Sequence, residues 1–205
     1  MAVTNGYCTA AELKAAVQVD DVVDDVAIDR AISTTSRLID GHCRRRFWSD
    51  ATDVARTYTA ADSRCLILSG EPQDVDVQSV TAIATDIGGD GTYETAWTSS
   101  DWVLAPLNAA ANGRPYSEVI VRPTSSQRFP VGVPAGVKIT GKFGWAAIPD
   151  DVREACVRQA SIVFKSVREG AAPIITLEGL AGGTSRFLDG QVQLILRPYV
   201  RMVAG

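Results

Sequence analysis

The stretch Pro149–Gly170, PDDVREACVRQASIVFKSVREG, leaves the chain the fewest choices of fold. Wound as a helix, it places Val152, Cys156 and Val163 on one apolar stripe and Val157, Ala160, Phe164 and Val167 on a second beside it. Asp151, Glu154, Arg158, Ser161, Lys165 and Arg168 fall on one narrow polar strip. A helix apolar over more than half its circumference must be covered on two sides, so it is the centre of a bundle. Pro149 suits a first turn, where its missing N–H costs nothing, and Asp150, Asp151 and Glu154 oppose the helix dipole there. Arg168 falls in the last turn and Gly170 can end the helix. About 20 residues at roughly 1.5 Å each give about 30 Å, enough to cross a small domain.

The partners of that helix lie upstream. Thr9-Ala10-Ala11-Glu12 has capping-box spacing and predicts a short helix over Ala10–Val17. An acidic run, Asp20, Asp21, Asp24 and Asp25, then leads into a second long helix over Asp25–Arg46. In it Ile28, Ala31, Ile32, Thr35, Leu38, Ile39, His42 and Cys43 recur at helical spacing. Between Ala55 and Gly144 the period changes to two. Seven short runs read as strands: Arg56–Thr59, Cys65–Leu68, Val75–Thr85, Thr92–Thr98, Trp102–Leu104, Glu118–Arg122 and Val137–Lys142. Ser69-Gly70, Gly88-Gly89-Asp90-Gly91, Asn112-Gly113 and the Pro123–Gly136 loop punctuate them. Ala171–Gly190, with Gly179, Gly182 and Gly183, reads as an extended arm. Val192–Val200 closes it as a short helix or extended segment that Pro198 interrupts.

The expected fold is α+β: a small helical bundle of two long helices and a short N-terminal one, an inserted antiparallel β subdomain, and an extended C-terminal arm. The divisions fall at 1–54, 55–144, 145–170 and 171–205.

Catalytic chemistry finds little purchase. The single histidine, His42, reads as a core or boundary residue; no serine sits in a GxSxG elbow, and no HExxH exists. The four cysteines lack a CxxC pair and read as reduced thiols, buried in the case of Cys43 and Cys156. Asp86–Glu94 invites comparison with a calcium loop, but its ligand spacing is wrong and its flanks read as strands, so a hairpin turn is expected. Gly179–Ser185 lacks the lysine of a phosphate-binding loop. A net charge of −4 argues against gripping nucleic acid by charge. No apolar run suits a membrane span, and no secretion signal is expected at MAVTNGYCTAAEL. No cofactor is expected.

Arg44-Arg45-Arg46 is the one compact basic patch, readable as cations at a helix C-terminus or as a partner contact. Phe47, Trp48 and Trp145 lie where helices meet the β region, and Trp, Tyr and Arg are enriched at interface hot spots.

The capped Thr-Ala-Ala-Glu-Leu helix, the acidic loop, AISTTSRLIDGHCRRRF, a β insertion, and Gly144–Ala155 leading into a helix ending Arg168-Glu169-Gly170 follow one another in a familiar order. The layout resembles the head–tail connector (adaptor) proteins of long-tailed double-stranded DNA bacteriophages, most sharply over Ser36–Phe47 and Ile148–Gly170. The resemblance implies a non-enzymatic ring of about twelve subunits, a heterologous closed assembly. The ring would sit in the virion neck beneath the portal protein, extend the DNA channel and offer a platform for the stopper or tail-completion protein. A mildly acidic wall would let duplex DNA pass without sticking. The candidate partner-facing residues are Arg44, Arg45, Arg46, Trp48, Trp145, Phe187, Leu194, Leu196 and Tyr199. Three other readings stay open: a different neck or minor virion protein, a metal-dependent or small-ligand enzyme using Asp86–Glu94, and a DNA-binding virion protein.

Overall fold

The computed structural model describes residues 3–20, 22–168 and 188–201. The chain forms two compact units, one from the segments up to Arg44 and from Ile148 onward, the other Arg45–Ala147. The first is helical and the second is built of antiparallel strands, so the fold is α+β with the β part inserted.

In the helical unit, α1 (Ala10–Val17) begins at its capping box. Thr9 Oγ1 accepts the Glu12 N–H at 3.2 Å, and Glu12 Oε2 accepts the Thr9 N–H at 2.7 Å. α2 (Asp25–Cys43) buries Ile28, Ala31, Ile32, Ile39 and Cys43. The central helix, α3 (Asp150–Arg168), buries Val152, Ala155, Cys156, Ala160 and Phe164 and packs against both α1 and α2. Each buried Ile, Val or Phe side chain among them contributes about 1.5–3 kcal/mol. The expected polar strip faces outward, with Arg158 Nε donating to Glu154 Oε1 at 2.6 Å. The apolar face narrows towards the end of α3, where Val163 is half-buried and Val167 exposed.

One expectation is corrected and one open alternative is decided. α2 ends at Cys43 rather than Arg46, because Arg44 turns into the left-handed region (φ 53°) and its N–H caps the Asp40 carbonyl. Arg45 and Arg46 leave the helix for acidic partners in the β unit. The C-terminal run Val192–Val200, open to a short helix or an extended segment, takes the helix. Gly190–Leu196 forms α4, and Pro198 lies in the 3-10 turn Arg197–Tyr199 that follows. Asp189 Oδ1 accepts the Gln191 N–H at 2.9 Å, and the Asp189 N–H donates to the buried Gln159 of α3 at 2.8 Å. Val192 and Leu196 are completely buried. The rest of the expected arm, with Phe187, lies outside the described residues.

The β unit holds two antiparallel sheets. One has the order β1 (Val54–Tyr58), β7 (Val137–Phe143), β3 (Val77–Thr85), β4 (Thr95–Ala96); the other β2 (Cys65–Ile67), β6 (Glu118–Val121), β5 (Trp102–Ala105). β7 alternates strictly, burying Val137, Ile139, Gly141 and Phe143. These residues share a core with Tyr58, Leu66, Ile83, Trp102 and Val119, and with Trp97, which stacks on Phe129 at 4.7 Å between centroids. The β3–β7 register slips between Val80 and Ala82, beside Gly141. A Cβ on Gly141 would lie 2.0 Å from the Ser79 carbonyl oxygen, so only glycine fits there.

Candidate assembly interface

The three arginines diverge. Arg44, the residue that ends α2, is exposed. Arg45 is half-buried, with its guanidinium 5.7 Å from the Trp145 ring centre and 3.7 Å from Asp76 Oδ2. Trp145, itself 3% exposed, donates from Nε1 to the same Asp76 oxygen at 3.0 Å and packs on Phe47. Arg46 is 3% exposed: its Nη2 lies 2.7 Å from Asp50 Oδ2 and donates to the Phe143 carbonyl at 3.1 Å. Its guanidinium sits 3.9 Å from the centre of the half-buried Trp48 ring. Arg56 joins the same network, paired with both Asp50 and Asp74. The expected basic patch is thus largely an internal arginine–carboxylate–aromatic cluster of the β unit, with Arg44 alone turned to solvent.

The C-terminal candidates divide in the same way. Leu196 is core, Leu194 is 67% exposed, and half-buried Tyr199 donates to Asp151 Oδ2 at 3.2 Å. Sequence reasoning misses a second exposed apolar group on the helical unit, Val22, Val23, Val26 and Val167. Val23, Val26, Val163 and Val167 help line a groove of about 410 Å³ between α2 and α3. The only sequence signal is the pair Val22-Val23 within the acidic run, at the entry to α2. Asp24 and Asp25 in that run meet Arg168 and Lys14.

The Asp86–Glu94 loop brings the carboxylates of Asp86, Asp90 and Glu94 within 4.8 Å of one another. Asp86 is buried and has both oxygens engaged by the loop itself, accepting the Gly89 N–H at 2.6 Å and the Gly91 N–H at 2.8 Å. That is a turn stapled by its own carboxylate. His42 is half-buried on α2, and burial lowers its pKa. A cleft of about 330 Å³ in the β unit is lined by Asp76, Arg45, Leu107 and Arg114, and Asp76 is already paired with Arg45 and Trp145. None of these assembles a nucleophile, a base and an orienting group. Among the described residues no helix is long and apolar enough to cross a membrane.

No protein-family profile and no curated protein sequence matches the chain. Solved structures do match. A chain of the neck of an empty gene transfer agent (GTA) particle, computed with C6 symmetry, superposes with a TM-score of 0.58 at 19% identity, covering 100% of this chain and 96% of that one. A chain of the neck of the native GTA particle, computed with C12 symmetry, gives 0.56 at 18% identity with the same coverage. The protein has the fold of a GTA neck chain. A chain of the native GTA virion gives 0.54 at 19% identity, again over 100% of this chain. Because each neck-chain alignment takes in the whole sequence, the β unit belongs to the shared fold along with the helices. That agrees with the connector resemblance carried by Ser36–Phe47 and Ile148–Gly170.

Proposed function

We propose that the chain is a non-enzymatic structural protein of the neck of a phage-like particle, a head-to-tail connector that assembles as a closed ring of about twelve copies. The observation that carries this reading is the end-to-end likeness to neck chains solved with sixfold and twelvefold symmetry. The ring would dock beneath the portal protein, continue the DNA channel and present its far side to the stopper or tail. The β unit would supply lateral or tail-side contacts. A chain with net charge −4 would let duplex DNA through without holding it by counterion release.

A ring is heterologous, one surface meeting a different one on the next copy. The large apolar side chains that the helical unit leaves exposed among its described residues are Val22, Val23, Val26, Ile162, Val167 and Leu194. These, with Arg44, are the residues we assign to contacts between copies, in place of Arg46, Trp145 and Leu196, which the chain's own core uses. The direct test is the native mass of the protein, alone and mixed with portal rings. A closed multimer in either condition supports the reading, and a species that stays monomeric in both refutes it. Val23→Asp/Val26→Asp should yield a folded monomer that no longer closes.

A further inference from the structure

Cys8 and Cys156 stand 148 residues apart in sequence, yet their sulfurs lie 3.2 Å apart inside the helical unit. That is only about 1 Å more than the roughly 2.05 Å of a disulfide bond. Cys8 is 7% exposed and Cys156 completely buried, so the pair is shielded from bulky reagents but sits just beneath the surface at Cys8. The Cys156 sulfur faces the Cys8 thiol and the backbone N–H groups of Tyr7 and Cys8, with Ser36 Oγ 3.7 Å away, itself donating to the Ile32 carbonyl at 2.8 Å. The hydrogen bond from the Cys8 thiol, first among these, lowers the pKa of Cys156, and the same bond pushes that of Cys8 up. The bond thus favours the charged form at Cys156 over Cys8. Nothing in the ring or channel reading uses this pair.

We propose that Cys8 and Cys156 are an oxidation site that closes an intrachain disulfide on exposure to a hydroperoxide, pinning the segment ahead of α1 to the middle of α3. The Cys156 thiolate attacks one peroxide oxygen; the O–O bond breaks, leaving a sulfenic acid and a hydroxide that takes up a proton as water. The Cys8 thiol then attacks the sulfenic sulfur; the S–S bond forms, the S–O bond breaks, and the second water leaves with the Cys8 proton. Two thiols lose two electrons and hydrogen peroxide gains them. Its use would rest on the neck reading: open while the chain is made in a reducing compartment, closed once a particle leaves it.

The experiment uses the full reduced chain, treated with a small excess of hydrogen peroxide and then quenched. Intact mass should fall by about 2 Da, and a non-reducing peptide map should link the Cys8 and Cys156 peptides. The helical transition should rise by about 10 °C in Tm, as expected for closing so long a loop, and dithiothreitol should reverse the rise. Cys8→Ser should abolish the link and Cys65→Ser should preserve it. Oxygen adducts on either cysteine without a linked peptide, or a link formed through Cys65, would overturn the proposal. The wild-type map decides the matter even if Cys8→Ser folds poorly. Because the assay needs no ring, its failure leaves the assembly reading standing, and the converse holds.

Discussion

Arg46→Ala separates an arginine that serves the fold from one that serves a partner. The substitution removes the 2.7 Å pair with Asp50, the 3.1 Å hydrogen bond to the Phe143 carbonyl and the stacking on Trp48. Truncating one member of a buried ion pair costs about 3–5 kcal/mol when the other charge is stranded. Asp50 is not stranded: Arg56 Nη2 remains 3.2 Å away and the Phe143 N–H still donates to the same carboxylate oxygen at 3.3 Å. Arg46 Nε also has no hydrogen-bond partner among the described residues, so less is lost there. The expected cost to the β unit is therefore about 2–3 kcal/mol, from the lost charged hydrogen bonds and the cation–π contact. All four tryptophans, Trp48, Trp97, Trp102 and Trp145, fall within Arg45–Ala147. Tryptophan fluorescence in urea therefore reports this unit, while far-UV circular dichroism is weighted towards the helices. The fluorescence midpoint should fall at unchanged slope, with the helical signal's midpoint unmoved. An unchanged fluorescence midpoint together with lost ring assembly would refute the argument and return Arg46 to a partner surface.

Gly141→Ala should cost the β unit more than about 3 kcal/mol or prevent its folding, since the new methyl meets the Ser79 carbonyl oxygen at 2.0 Å; a wild-type fluorescence midpoint would mean the β3–β7 pair can relax. Leu194→Glu should leave stability within about 0.5 kcal/mol and reduce ring mass, whereas Leu196→Glu should unfold the helical unit. The Thr9 N–H lowers the Glu12 pKa, so the capping box contributes stability above the free-carboxyl value of 4.5 and loses it as pH falls through the lower folded value. Glu12→Gln, which leaves an acceptor for the Thr9 N–H but cannot titrate, should flatten that acid limb in a pH series of thermal melts; an identical slope would count against the box. Added calcium should leave the fluorescence-detected Tm in place, and a rise would show that Asp86, Asp90 and Glu94 hold an ion after all.

What the sequence discloses divides by the range over which each feature is decided. Thr9 and Glu12 announce the start of α1, and Val152, Cys156, Ala160 and Phe164 announce the buried face of α3, because partners three or four residues apart share a helix face. The strands at Cys65, Trp102, Glu118 and Val137 begin where alternation begins. The end of α2 is hidden, because no glycine marks the left-handed turn at Arg44, and part of what holds Arg46 is the Phe143 carbonyl 97 residues later. The Cys8–Cys156 pair is hidden for the same reason at still longer range.

The residues proposed for contacts between copies show the division most sharply. In VQLILRPYV, Val192 and Leu196 are four apart and turn inward together, while Leu194, half a turn away, turns outward. Read as an extended arm, the run makes Leu194 and Leu196 equivalent; read as a helix, it separates a core residue from an exposed one. A surface reserved for a sister copy consists of apolar side chains that the chain's own fold leaves bare, which becomes visible only after the core has taken its share. Aromatic and arginine enrichment points to Trp145 and Arg46, and the core claims both. The exposed candidates are plainer residues, Val23, Val26 and Leu194, whose exposure and not their type sets them apart.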